Sequence, residues 1–237
     1  MRPACRILVA VLCLVVSGAS AAERCVPAPA ADLVGCDFTN AALENADLRR
    51  ARLDGAVFRG ANLKWAKLDG ASAKGADFVG ADLFHTILDG ADLSGSDLSG
   101  ANLFGANLIG TTLIRCNFSG AFLKDILMEG ADLSGANLAG VYMLRGVFDD
   151  AKLVGTDLSG ADMTGAGAER ADFTDANLTG ARLSGASIRF ARFVRSELNG
   201  ADFGKTDLLN AIFQDARNVP PGLVETLAAF FGAEARR

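Results

Sequence analysis

One histidine, His85, five cysteines, and an aspartate or asparagine in most blocks of five residues are the groups of this chain with reactive potential. A catalytic nucleophile needs a base, and the base needs an orienting group. No serine, cysteine or carboxylate stands to His85 in a spacing that assigns those roles. The aspartates recur on a fixed clock along the chain, which is not how a paired general acid and base is placed. The 27 glycines largely follow the same clock, so they build no phosphate-cradling loop. Once an N-terminal leader holding Cys5 and Cys13 is set aside, Cys25, Cys36 and Cys116 remain. With a single histidine they make no familiar metal-ligand spacing. The nine-residue glycine-aspartate repeat that binds calcium is absent. The chain reads as non-enzymatic, with no cofactor and no metal.

The clock itself carries the architecture. From Ala31-Asp32-Leu33-Val34-Gly35 to Ala211-Ile212-Phe213-Gln214-Asp215 the sequence runs through about 37 consecutive five-residue units without a change of phase. With the central apolar residue called i, that position is Leu or Phe except at Ala73, Met128, Met143, Met163, Ala168 and Ile188. Position i−2 is mostly Ala, i−1 mostly Asp or Asn, and i+2 often Gly. A period of five fits neither an amphipathic helix nor a lone strand. Gly and Asn/Asp in each unit place a turn in each unit. Residues i−2 and i then point one way and i−1 the other, as in a very short strand. The result is a solenoid whose coils are stabilised by stacking on one another.

The large residues set four sides per coil. Phe38, Phe58 and Phe78 stand twenty apart, as do Phe173, Phe193 and Phe213. Coils of twenty residues turn each trio into a vertical stack of rings. The same register sets Phe148 against Ala168, and volumes that alternate in this way suit a close-packed interior.

The units Ala-Asp-Leu-Ser-Gly at 91–95 and 131–135, Ala-Asn-Leu-Phe-Gly at 101–105 and Ala-Asn-Leu-Thr-Gly at 176–180 resemble the pentapeptide-repeat family, and the resemblance extends over residues 31–215. It implies an all-β, right-handed, four-sided parallel β-helix, with i and i−2 inward and i−1, i+1 and i+2 outward. It implies no single activity, since members of the family serve as DNA mimics, as interaction modules, or in no assigned role. About nine coils at ~4.8 Å give a rod of roughly 44 Å.

The ends differ from the repeat. Residues 1–22 read as a cleaved secretory signal peptide. Arg2 and Arg6 precede an apolar run from Ile7 to Val16 that is too short to span a membrane, and small residues from Ser17 to Ala22 follow. The expected location is the bacterial periplasm or the exterior, with no stable membrane insertion. Residues 23–30 form an N-terminal arm. Cys25 is within reach of Cys36, and the two are either a disulfide pinning that end, which an oxidising compartment permits, or two small buried thiols. Cys116 shares a column with Cys36 but lies four coils away, too far to bond. Residues 216–237 form a linker and a capping helix in which Leu223, Leu227, Phe230 and Phe231 share one face after Pro220 and Pro221. That helix is either a lid over the last coil or a dimer contact, as in some family members.

Loss of the leader leaves 21 cations against 28 acids, a formal charge of −7. Basic residues concentrate in the first coils (Arg49, Arg50, Arg52, Arg59, Lys64) and near the end (Arg182, Arg189, Arg192, Arg195), with an acidic middle. One outward column, Asp37 to Glu197, has no cation. Asp and Asn there are read as bonding to the local turn backbone rather than mimicking a phosphate line.

Folding the sequence at twenty gathers Trp65, Phe84, His85, Phe104, Phe122, Tyr142 and Leu144 on one outer face. Aromatics at outward positions have no core to fill. A contiguous apolar patch of this kind marks a contact surface for a protein partner or a second copy. The function expected is an exported scaffold that binds through this face. The alternative is a DNA-mimicking inhibitor of a nucleic-acid enzyme such as gyrase. The signal peptide and the basic end coils stand against it.

Overall fold

A computed structural model describes residues 25–231, with side chains described through residue 227. Every five-residue unit places its i−1 residue in a bridge and its i+1 and i+2 residues in a turn. All bridges among the described residues are parallel and join residues twenty apart, from Asp32 with Arg52 to Glu197 with Arg217. The chain is therefore a right-handed four-sided parallel β-helix. Its sides are numbered here by their first inward residue: Leu33 opens side 1, Phe38 side 2, Leu43 side 3 and Leu48 side 4.

The backbone explains why the unit is five residues long. Leu33 N donates to Arg52 O at 2.8 Å and Arg52 N donates to Ala31 O at 2.9 Å, the two bonds that hold one coil on the next. Cys36 N donates to Leu33 O at 3.1 Å and closes the corner. The third corner residue has positive φ, as in a type II turn, which is why Gly recurs at i+2. Where Gly is missing there, Asn, Asp, Arg and a few aromatic residues adopt the same angles.

Inside, Leu, Phe and Ala fill the tube with almost no exposure. On side 2, Phe58 stacks 5.1 Å from Phe38 and 4.9 Å from Phe78. On side 1, Phe193 stacks 4.6 Å from Phe173 and 4.9 Å from Phe213. These spacings match one coil per ring. Volume is balanced between positions. Gly146 stands where Ala is usual, and a Cβ there would lie 2.7 Å from the Phe148 ring. The inward hydroxyls are also satisfied. Thr86, Thr111 and Thr156 donate to the carbonyls of Leu63, Leu88 and Leu133, as a buried hydroxyl must to avoid a desolvation cost.

Both ends are closed by non-repeat chain. Cys25 and Cys36 form a disulfide with Cα atoms 5.7 Å apart, which ties the arm to the first coil. At the other end α1, Pro221–Phe231, lays Leu223 against the last coil, where it is 3% exposed, with Leu227 partly buried beside it. A cavity of about 280 Å³ lined by Phe203, Lys205, Pro220 and Leu223 remains beneath the helix. Phe231 ends the helix, while the side chains of Phe230 and Phe231 lie outside the described residues, as does the expected signal peptide. Among the described residues no helix is long and apolar enough to cross a membrane.

Candidate interaction surface

Side 3 carries the aromatic residues as one connected ridge. Phe84 and Phe104 occupy i+1 in successive coils, and their rings stack at 5.4 Å with planes 8° apart. Phe122 and Tyr142 occupy i−1 in the next two coils and stack at 5.4 Å and 11°. The two columns meet where Phe104 lies 6.2 Å from Phe122. At the corner leading to side 4, Trp65 and His85 stack at 4.4 Å and 8°. Both meet the ridge edge-on, Trp65 against Phe84 at 5.6 Å and His85 against Phe104 at 5.8 Å. Leu144 is half-buried farther along the i+1 column. The seven residues singled out from the sequence thus share one face, and six of them touch through their rings.

The backbone beneath is held by side chains of the same side. Phe84 N donates to Asp82 Oδ1 at 3.3 Å and Phe104 N donates to Asn102 Oδ1 at 3.2 Å. Asn102 Nδ2 then donates to Asp82 Oδ1 at 2.9 Å, so these two positions are tied between coils. The same arrangement holds the cation-free column on side 2, where Ser99 N donates to Asp97 Oδ1 and Asn117 Nδ2 donates to it as well. Those carboxylates are engaged in the turn backbone.

His85 owes its place to Gly105, a partner that the sequence reading did not single out. A Cβ at Gly105 would lie 2.5 Å from His85 Cε1, so the absent side chain leaves the room in which the imidazole sits. Trp65 and His85 both hold the positive φ, 59° and 51°, that the repeat ordinarily gives to Gly. Such angles cost a bulky residue ~1–3 kcal/mol. Stacking at that corner offsets part of this cost.

Charge frames the ridge. Lys124 Nζ lies 5.5 Å from the centroid of the Phe104 ring, a cation-π distance, and 3.9 Å from Asp125. Arg145 donates to Asp125 through Nε at 2.8 Å and through a second nitrogen at 2.9 Å, and this hydrogen bonding holds the Asp125 carboxyl below its ordinary value. At the other end Lys64 pairs with Asp82 at 3.0 Å. The basic first coils are neutralised in the same way: Arg52 pairs with Asp32, Arg59 with Asp77 and Lys74 with Asp92, each across one coil boundary. Most of the cations read from the sequence in the first coils are therefore in ion pairs, while Arg50 and Lys67 have none among the described residues.

Trp65 is 48% exposed, Phe122 40% and Tyr142 36%, so neither the arm nor α1, as described, covers the ridge. Because the rings stack along the solenoid axis, their edges point outward and their faces are turned to one another. The surface is a raised apolar strip and not a pocket. It can desolvate against a partner and offer ring edges to acceptors. Among the described residues no three His, Cys, Asp or Glu side chains converge to hold a metal. Burial pushes the Cys116 thiol up to about 11, and the thiol donates to Leu93 O at 3.0 Å, so it stays protonated inside the tube.

A stacked four-sided β-helix with its outward aromatic residues gathered on one side is a repeat solenoid. The chain belongs to the pentapeptide-repeat family: the Pentapeptide repeats model matches in eight copies over residues 31–70, 61–100, 101–124, 126–165, 147–185 and 169–204. Among solved structures, it is similar to HetL of the cyanobacterium Nostoc sp., a pentapeptide repeat protein involved in heterocyst differentiation regulation. They share 31% identity over 79% of this chain and 84% of that one, with a TM-score of 0.35. Full-length QnrB1, a plasmid-mediated fluoroquinolone resistance protein, is 20% identical over 85% of this chain and 97% of that one. Its TM-score of 0.55 bears on the fold alone. A pentapeptide repeat protein of the Arabidopsis thaliana thylakoid lumen is 28% identical over 54% of this chain and 74% of that one, with a TM-score of 0.26. No curated protein matches the chain significantly.

Proposed function

We propose that this protein is a non-enzymatic scaffold, exported to the periplasm or beyond, that binds a protein partner or a second copy of itself through the side 3 ridge. The observation that carries this reading is the continuous contact from Trp65 to Tyr142 at positions with no role in the core. Aromatics joined over five coils, with Trp65, Phe122 and Tyr142 exposed and Phe84, His85 and Phe104 half-buried, form a surface of the kind that interfaces use for their central anchors. Export is supported by the Cys25–Cys36 disulfide, a bond that persists in oxidising compartments. The pairing of most cations with acids leaves a mosaic surface, which favours this reading over imitation of a nucleic acid.

The test is the double variant Phe84→Ser with Phe104→Ser. Both side chains are outward, so the expected result is an unchanged far-UV spectrum with at least a tenfold loss of association, about 1.4 kcal/mol. Association is read by sedimentation for self-contact and by crosslinking from the exported fraction for another partner. Unchanged association by both measures would overturn the ridge as the contact. Protein found uncleaved and wholly in the cytoplasm would overturn export.

A further inference from the structure

Side 4 carries a second surface of different chemistry. Its i−1 column runs through Ile87, Asn107, Leu127 and Val147, bridged coil to coil. Its i+1 column sets the exposed Ile109 between Asp89 and Glu129 and continues to Asp149 and Glu169. The result is an apolar strip with carboxylates along its rim. Gly90, Gly110 and Gly130 occupy the corner beyond the rim, so no side chain rises there. No cation stands on side 4 between Lys67 and Arg170.

The first carboxylates of this rim lack positive partners. Asp69 Oδ2 is buried with no hydrogen-bond partner among the described residues. Arg49, next to it in the same column, is taken by Asp47 through bonds of 2.8 and 2.5 Å. Asp89 accepts from Ile109 N at 3.2 Å and from Asn107 Nδ2 at 3.1 Å, yet burial still pushes its carboxyl above its ordinary value, and the Asp69 charge adds to the rise. Neither carboxylate has an ion-pair partner among the described residues, and a cation brought from outside would offset the charge of both.

The spacing selects the form of the donor. Successive coils lie ~4.8 Å apart. Residues three or four apart on an α-helix advance about 4.5–6 Å, so a helix laid along the axis sets one residue against each coil in each column. An extended segment repeats on one face every ~6.6 Å and loses register within two coils. Asp89 to Asp149 spans three coil steps, about 14 Å, which is roughly 10 helical residues; Glu169 beyond them is held by Arg170 at 3.6 Å.

We propose that side 4 docks an amphipathic helix of a partner protein, with an apolar stripe over Ile87, Ile109, Leu127 and Val147 and an adjacent Lys or Arg stripe over the carboxylate rim. This surface is separate from the side 3 ridge, and neither depends on the other.

The probe is a synthetic 16-residue helical peptide with Leu at positions three and four apart and Lys beside them. Its binding to the full chain is read by fluorescence anisotropy, and a peptide with Glu in place of Lys serves as control. Glu129→Lys is expected to weaken binding about tenfold or more, and Ile109→Ser about threefold or more. Ser99→Lys with Ser119→Lys puts the same total charge change on side 2 and is expected to alter binding by less than about twofold. Glu129→Gln gives an isosteric check and should weaken binding in the same direction. Absence of Lys-peptide binding, equal binding of the Glu peptide, an equal loss in the side 2 variant, or no loss with the Glu129 variants would each overturn the proposal.

Discussion

At position 105 a single missing methyl decides where His85 sits. Gly105→Ala combines a positive-φ penalty with a Cβ 2.5 Å from the imidazole. Gly75→Ala shares the φ near +60° but meets nothing within 4 Å. We expect Gly105→Ala to lose about 1–2 kcal/mol in denaturant unfolding, more than Gly75→Ala loses. Trp65 is the only tryptophan of the chain, so its emission reports the stack directly. Emission should change in Gly105→Ala alone, and equal behaviour of the two variants would show that the stack does not depend on Gly105. The ridge was legible in the sequence as columns of outward aromatics. The room for His85 was not, because it depends on which rotamer an imidazole takes over the next coil.

Acid-base behaviour belongs to the same scale. Hydrogen bonding from Arg49 holds Asp47 at about 2. Arg145, Arg170 and Arg195 lower Asp125, Asp150 and Asp175 in the same manner. A carboxyl with a lower pKa folded than unfolded contributes stability above its unfolded value. That contribution is lost as the pH falls through the folded value. The urea midpoint should therefore drop between about pH 4 and pH 2. Arg145→Gln should remove part of that dependence, and a midpoint flat over this window would contradict the role of these pairs. In the first coils Arg59 pairs with Asp77, Lys64 with Asp82 and Lys74 with Asp92, each eighteen residues away and thus diagonal to the columns. Folding the sequence at twenty does not set these partners side by side, so the first coils read as more basic than they are.

On the scale of the element, one five-residue unit is a short side and a corner, and its cohesion lies in the column above and below. Phe193 illustrates this, with Phe173 at 4.6 Å, Phe213 at 4.9 Å and Phe203 edge-on at 5.8 Å. Phe193→Ala should cost about 3–5 kcal/mol in chemical unfolding, since three rings lose a partner and the neighbouring coils cannot close the gap. A loss under about 1 kcal/mol would mean that the column does not carry the packing. Phe trios twenty residues apart made this element readable, because a repeated large side chain must recur at the coil length. The helix was readable as well: Pro221 and the apolar spacing marked α1, and Leu223, on the face read from that spacing, makes the covering contact.

For the whole molecule, the twenty-residue register converts the sequence into four sides with distinct surfaces. Side 2 ties its Asp and Asn residues into its own turns, side 3 raises aromatic rings, and side 4 sets apolar residues beside carboxylates. A tube of this kind separates the roles of core and surface by position within each unit, so outward positions vary without touching the interior. That separation is why the shape followed from spacing while the partner did not: outward residues are free of the packing rule that fixes the inward ones.

The central claim is that side 3 meets a partner. A photo-crosslinking residue placed at Phe122 on side 3, and separately at Ser119 on side 2, tests it in whole cells. Adducts with a second copy or another protein from position 122, and none from 119, are expected. No adduct from 122, or equal yields from both positions, would contradict the account.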